Sequence, residues 1–148
     1  ELRKRADILA ADAQGFLRNV APDGRMFLKV PDDVGAGFEL LDVLKVDIKE
    51  AGALTGVEDI HDAAFRVLAM GPKLVLLTHS AGVCVYDGMT FYDEPFRPYP
   101  MEGRTGRGDT CSAAFLFAMS KGMELAEAVA FAADITSTKM QYPGPYRG

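Results

Sequence analysis

Lys73-Leu74-Val75-Leu76-Leu77-Thr78 is apolar at four consecutive inner positions, and this run constrains the fold more than any other stretch of the chain. A strand with one wet face alternates polar and apolar residues, whereas a continuously apolar strand is buried on both faces. Helices must then cover both sides of a largely parallel sheet. The flanking sequence agrees. Asp59 to Met70 reads as a helix, with Ile60, Ala63, Ala64, Val67 and Leu68 at helical spacing, Asp59 as N-cap and Gly71-Pro72 as the stop. Val43 to Val46 is a short strand before it, so strand, helix and strand imply a right-handed crossover. Glu1 to Arg5 reads as the last turn of a helix, basic as helix C-termini prefer, ahead of a strand at Ile8 to Asp12. Val83 to Tyr86 and Thr90 to Tyr92 form a hairpin across Asp87-Gly88. Phe96 to Met101, with Pro95, Pro98 and Pro100 in or beside it, is an extended edge segment. Glu124 to Met140 is an amphipathic helix with Leu125, Ala128, Val129, Ala132 and Ile135 facing inward, closed by Tyr142-Pro143-Gly144-Pro145-Tyr146. The reading is one α/β domain over residues 1–148.

Chemistry concentrates in Gly103-Arg104-Thr105-Gly106-Arg107-Gly108-Asp109-Thr110, which runs straight into the apolar stretch Cys111 to Met119, read as a buried helix. Gly106 and Gly108 are expected to take positive φ and to bring bare amides close to a ligand. The free N–H groups of a first helical turn and the positive end of its dipole both favour an anion. Asp109 then stands where it can accept the proton of an attacking hydroxyl during phosphoryl transfer. The same residues allow a structural reading, in which Asp109 is an N-cap accepting from the N–H of residue 111 or 112. The segment does not match the phosphate loop ending in Gly-Lys-Ser/Thr.

Composition narrows the function classes. A chain of 148 residues, 49% hydrophobic and with a formal net charge of -5, suits a domain with a real core and argues against a nucleic-acid surface. No run approaches the roughly 20 apolar residues of a membrane span and no signal-peptide pattern opens the chain, so a cytoplasmic protein is expected. Cys84 and Cys111 fall in a predicted strand and a predicted buried helix, as reduced core thiols. His61 and His79 lack partners at metal-ligand spacing.

Four segments in order carry a family resemblance. Gly103 to Thr110 resembles the Asp-Thr-x-Gly-Ala-Gly-Asp signature of the ribokinase-like (PfkB) carbohydrate kinases. Asp12-Ala13-Gln14-Gly15-Phe16-Leu17-Arg18 is similar to the segment after a mid-chain strand in that family. Lys45-Val46-Asp47-Ile48-Lys49-Glu50-Ala51, followed by Leu54-Thr55-Gly56, resembles its Asn-x-x-Glu segment. Thr78-His79-Ser80-Ala81-Gly82-Val83 resembles its Thr-x-Gly-x-x-Gly nucleotide loop. The departures are Gly103-Arg104 for the first Asp-Thr, Arg107 for the middle Ala, Asp47 for Asn and Ser80 for the first loop glycine.

The resemblance implies a ribokinase-like α/β fold, a mostly parallel sheet flanked by helices, of which this chain matches the C-terminal, nucleotide-binding half. The N-terminal half of such enzymes carries most of the sugar pocket and the lid. It also implies ATP and Mg2+ as cofactors and a sugar or polyol as substrate, while charge and composition give the expectation of no nucleic-acid or membrane partner. By the same resemblance the Gly106, Arg107 and Gly108 amides form the anion hole and Asp109 is the catalytic base. Thr78, Ser80, Gly82, Thr105 and Asp47 line the nucleotide, and Glu50 with Asp47 holds magnesium through waters. Each assignment has a plainer counterpart: Arg104 and Arg107 as solvent-facing turn residues, Asp47 and Glu50 as solvated carboxylates on a helix start, Thr78 as a strand end.

Two function classes follow: an ATP-dependent kinase of sugars or sugar-like alcohols, and a nucleotide- or anion-binding module without catalysis. A chain holding only the nucleotide half is expected to self-associate through its exposed sheet edge and to be inactive alone.

Overall fold

In the computed structural model, which describes residues 1–97, 103 and 105–147, the apolar run at Leu74 does form the middle of a sheet. In chain order, a 3-10 turn at Leu2–Lys4 precedes β1 (Ala10–Asp12), α1 (Gln14–Leu17), β2 (Arg18–Val20), β3 (Met26–Leu28), α2 (Val34–Phe38), β4 (Val43–Asp47) and α3 (Ile48–Thr55). Then come α4 (Ile60–Leu68), β5 (Leu74–Thr78), β6 (Gly82–Tyr86), β7 (Phe91–Pro95), α5 (Arg107–Ser120) and α6 (Leu125–Lys139). The main sheet has the order β1-β4-β5-β6-β7, and β1 runs parallel to β4 with Ala11 opposite Leu44. Val75, Leu76 and Leu77 are wholly buried, as a strand covered on both faces requires. The fold is a mixed, mostly parallel sheet flanked by helices.

The chain divides into two compact units. The first comprises Glu1–Leu77 and Val85–Phe91, the second Thr78–Cys84 and Tyr92 onward.

In the first unit, α4 starts where its cap predicts: Asp59 accepts from the Asp62 N–H at 2.9 Å. It buries Ala63, Ala64 and Val67. α3 ends on Gly56, whose φ of 75° is the left-handed geometry of a helix stop. The Asp87-Gly88 hairpin forms, with Asp87 Oδ1 accepting from the N–H groups of Met89 and Thr90. Helix α1, the β2–β3 ribbon and α2 were not anticipated. The ribbon closes over Pro22-Asp23-Gly24, where Gly24 takes φ 82° and donates to the Ala21 carbonyl. Its short strands leave Val20, Met26, Phe27 and Leu28 exposed, so no buried alternation marks them. His61 stacks on Phe91 at 4.2 Å between ring centroids.

In the second unit, α5 packs on α6, burying Cys111, Ala114, Phe115 and Ala118 from one and Ala128, Val129, Ala132 and Ala133 from the other. α5 is not buried all round, because Phe117 is 52% exposed. Cys84 and Cys111 are free, buried thiols. Burial and the Asp93 carboxylate push the Cys84 thiol far above its ordinary range. Residues 98–101 of the expected extended segment, and Arg104, lie outside the described residues. Among the described residues no helix is long and apolar enough to cross a membrane.

Candidate active site

The glycine motif opens α5, though not as its spacing suggests. Gly106 is the N-cap, at φ 77°, and helical geometry begins at Arg107. Gly108 therefore lies inside the first turn and is absent from the positive-φ glycines, which corrects the expectation that both turn the chain. Asp109 is the third helical residue, so it is not the N-cap, and no side chain caps this helix. The N–H groups of residues 107–109 belong to the first turn, whose donors have no intrahelical partner and whose dipole end is positive. An acid at the third position also favours the helix start, so Asp109 has one structural benefit that does not depend on a ligand. Its side chain is exposed and borders a cleft of about 400 Å3 lined also by Thr110, Ala113, Phe117, Phe131 and Tyr146.

Within the same unit the structure brings the predicted nucleotide loop beside the arginine of the motif. Burial and the Arg107 guanidinium hold the His79 imidazole below its ordinary pKa. His79 Nδ1 accepts from the Ala81 N–H at 3.4 Å, which ties the turn. Arg107 lies over the Phe96 ring at 5.8 Å and is not simply solvent-facing. Ser80 is exposed and Thr78 is 1% exposed. Gly82 has a packing reason to be glycine: a Cβ there would sit 2.4 Å from the Glu94 carbonyl oxygen.

Lys139, near the end of α6, attracted no attention in the sequence because a basic residue in a last turn is ordinary. It is 1% exposed, and its Nζ donates to the Gly103 carbonyl at 2.6 Å and to the Thr105 carbonyl at 2.5 Å. Gly103 also donates to the Met140 carbonyl at 3.1 Å. A Cβ on Gly103 would lie 1.9 Å from the Tyr142 carbonyl oxygen, so the position where the family signature has Asp admits no side chain here.

In the first unit, Asp47 and Glu50 stand at the start of α3. Asp47 Oδ1 accepts from the N–H groups of Lys49 and Glu50, and Glu50 Oε2 accepts from the Asp47 N–H, which is a complete capping box. Glu50 is 1% exposed, which rules out for it the plainer alternative of a solvated carboxylate on a helix start. Lys45 Nζ lies 3.7 Å from Glu50 Oε2 and 2.9 Å from Asp12 Oδ2. Arg18 lies 3.6 Å from Glu50 Oε1, an oxygen that is buried without a hydrogen bond. Burial raises the Glu50 pKa against the lowering pull of the Asp47 N–H and Lys45. Arg18, Asp47 and Glu50 line a cavity of about 240 Å3 walled by Met26, Phe27 and Leu28. Lys45 and Arg18 escaped prediction as partners of Glu50, because only the sheet register and the β2 strand bring them there.

A mostly parallel sheet flanked by helices, with a glycine-capped helix start presenting amides and a carboxylate, defines an α/β fold whose α5 start has the chemistry to meet an anion. The family is settled by comparison: the pfkB carbohydrate kinase profile matches residues 6–148, and the chain belongs to that family. A pyrophosphate-dependent kinase of the ribokinase family, solved with a pyrophosphate analog and myo-inositol, is 43% identical with a TM-score of 0.94. The match covers 99% of this chain and 53% of that one. Arabidopsis thaliana ribokinase, solved with ribose and ATP, is 30% identical with a TM-score of 0.68 over 74% of this chain and 38% of its own. The cytidine kinase of Thermococcus kodakarensis is 40% identical over 84 residues, 55% of this chain and 30% of that protein. The chain thus spans about half the length of its first structural match and less of the curated relative.

Proposed function

We propose that this chain supplies the phosphoryl-donor apparatus of a kinase acting on a hydroxyl of a sugar or sugar-like alcohol, with ATP as donor. The observation that carries the reading is the start of α5: Gly106 turns the chain, and its amide and those of Arg107 and Gly108 stand at a helix start with no side-chain cap. Phosphoryl transfer asks a protein mainly for positioning and charge neutralisation, which such amides provide. The acceptor oxygen attacks the terminal phosphorus, the bond to the leaving phosphate oxygen breaks, and Asp109 takes the hydroxyl proton. Asp109 suits this step because its carboxylate is exposed on a cleft. The retained carboxylate also favours an enzyme over a binding module.

Thr78, Ser80, Gly82 and Thr105 are proposed to border the nucleotide, with Thr78 and Gly82 acting through the backbone that their burial fixes. Asp47 and Glu50 suit a magnesium ion through water alone, since Asp47 Oδ1 is occupied by two N–H groups and Glu50 already faces Lys45 and Arg18. The unbonded Glu50 Oε1 is the atom suited to accept from the ion's water shell.

One observation favours a second donor, pyrophosphate. It has no base or ribose to bind, so its affinity must come from charge and amides. Arg107 puts a positively charged residue in the first turn of α5, where the family signature has a neutral alanine. The 43% identity to a pyrophosphate-dependent kinase points the same way.

The test is a matrix of donors and acceptors with the full protein and magnesium: ATP or pyrophosphate against ribose, myo-inositol and cytidine. ADP release dependent on an acceptor supports the first donor, and acceptor-dependent phosphate release from pyrophosphate supports the second. Binding of either donor without transfer to any acceptor in a wide alcohol panel would leave the binding module as the correct reading.

A further inference from the structure

We propose that Lys139 is a positioning residue of the phosphoryl-donor site, fixing the direction of the Gly106 N–H from behind the loop. This inference rests on the reading that the α5 start holds the donor phosphate. A fully buried ammonium is costly unless its donors are satisfied, and here they are spent on the Gly103 and Thr105 carbonyls, at 2.6 and 2.5 Å. Those two residues flank the turn that enters α5. A trans peptide is planar, with its C=O and N–H pointing in opposite directions. The Thr105 carbonyl shares its plane with the Gly106 N–H. Holding that oxygen toward α6 therefore aims the N–H the other way and removes the rotation that a glycine would otherwise allow.

The anchor is rigid. Lys139 is followed by Met140, 1% exposed, whose carbonyl accepts from the Gly103 N–H at 3.1 Å, so the end of α6 grips Gly103 through both its main-chain groups. Serine and threonine hydroxyls in the preceding residues bond within the helix, Thr136 to Ala132 and Ser137 to Ala133, both at 2.6 Å. Carbonyls accept the ammonium's N–H donors without cancelling its charge. Lys139 thus also adds a positive charge behind amides that face an anion.

The experiment is calorimetric titration of the full protein with pyrophosphate and, separately, with ATP, for the parent and Lys139→Met, which keeps the stem and removes the ammonium. Hydrogen exchange of residues 105–109 is followed in parallel. Expected are a donor affinity at least about tenfold weaker, as loss of a charged hydrogen-bonding group gives, and faster exchange at 105–109 with Ala128–Ala133 unchanged. Methylammonium at constant ionic strength should restore part of the affinity, which a purely structural lysine would not show. Equal affinity and equal loop exchange in parent and mutant would overturn the proposal. If the parent binds neither donor, the donor-site reading itself fails and takes this inference with it. Should Lys139→Met not fold, Lys139→Gln, whose amide nitrogen is one bond short of the Nζ position and carries no charge, is measured in the same way: parent-like donor affinity and loop exchange overturn the proposal and weakened affinity supports it.

Discussion

Asp47 and Glu50 cap each other: Asp47 Oδ1 accepts from the Glu50 N–H at 2.8 Å, and Glu50 Oε2 accepts from the Asp47 N–H at 2.8 Å. The pair that a family signature associates with magnesium is thus also the start of a helix. Any substitution there changes folding as well as chemistry, and the two effects have to be measured apart.

Asp47→Ala removes the cap and should cost about 1 kcal/mol in urea denaturation, while Asp47→Asn, itself a good cap, should cost little. Glu50→Ala should cost more, about 3–5 kcal/mol, because it leaves the buried Lys45 ammonium without one of its carboxylates. Equal losses for the two alanine variants would show that Glu50 contributes as a cap alone.

Asp109→Asn should lower acceptor-dependent transfer by about 10²–10⁴ while donor affinity stays near that of the parent. Since Asp109 does not cap α5, the melting temperature should move little. Near-normal turnover of a folded mutant would remove Asp109 from the chemistry.

The two glycines of the motif should respond in opposite senses. Gly106→Ala forces a side chain onto φ 77° and should destabilise by about 1–2 kcal/mol. Gly108→Ala occupies a helical position, where alanine is favoured by roughly 0.5–1 kcal/mol, yet its methyl would stand among the donor-facing amides. Denaturation paired with donor titration should therefore show Gly108→Ala as folded and weak in binding. A Gly108→Ala variant that binds donor like the parent would mean phosphate does not approach that turn.

Acid stability should depend on Asp42. Partial burial opposes its charge, but hydrogen bonds from the Leu9 N–H, Lys73 and Arg3 outweigh that and hold its pKa at about 2. A carboxylate with a depressed folded pKa stabilises above its unfolded pKa, here 3.8, and loses that contribution as pH falls toward 2. Asp42→Asn should be less stable than the parent at pH 6, and the gap should close between pH 4 and 2. A gap that stays constant with pH would show that Asp42 matters through packing.

What local pattern decides was readable in the chain. The apolar run at Leu74–Leu77 required two covered faces, Asp59 started a helix by backbone rules, and the Asp87-Gly88 turn placed β6 beside β7. These are short-range effects of dihedral preference and hydrogen bonding, so a window of a few residues contains them. The family signature likewise marked the α5 start and Asp109. Its fine geometry was not readable, because whether Gly108 turns the chain depends on where helical bonding begins, and residues on both sides share that decision. The burial of Glu50 against Lys45 and Arg18 follows from sheet register and the β2 strand. The Lys139 ammonium reaches Gly103 and Thr105 across 36 and 34 positions of chain. Partners that distant are chosen by packing, which brings α6 under the loop, and no property of lysine in its own helical turn announces it.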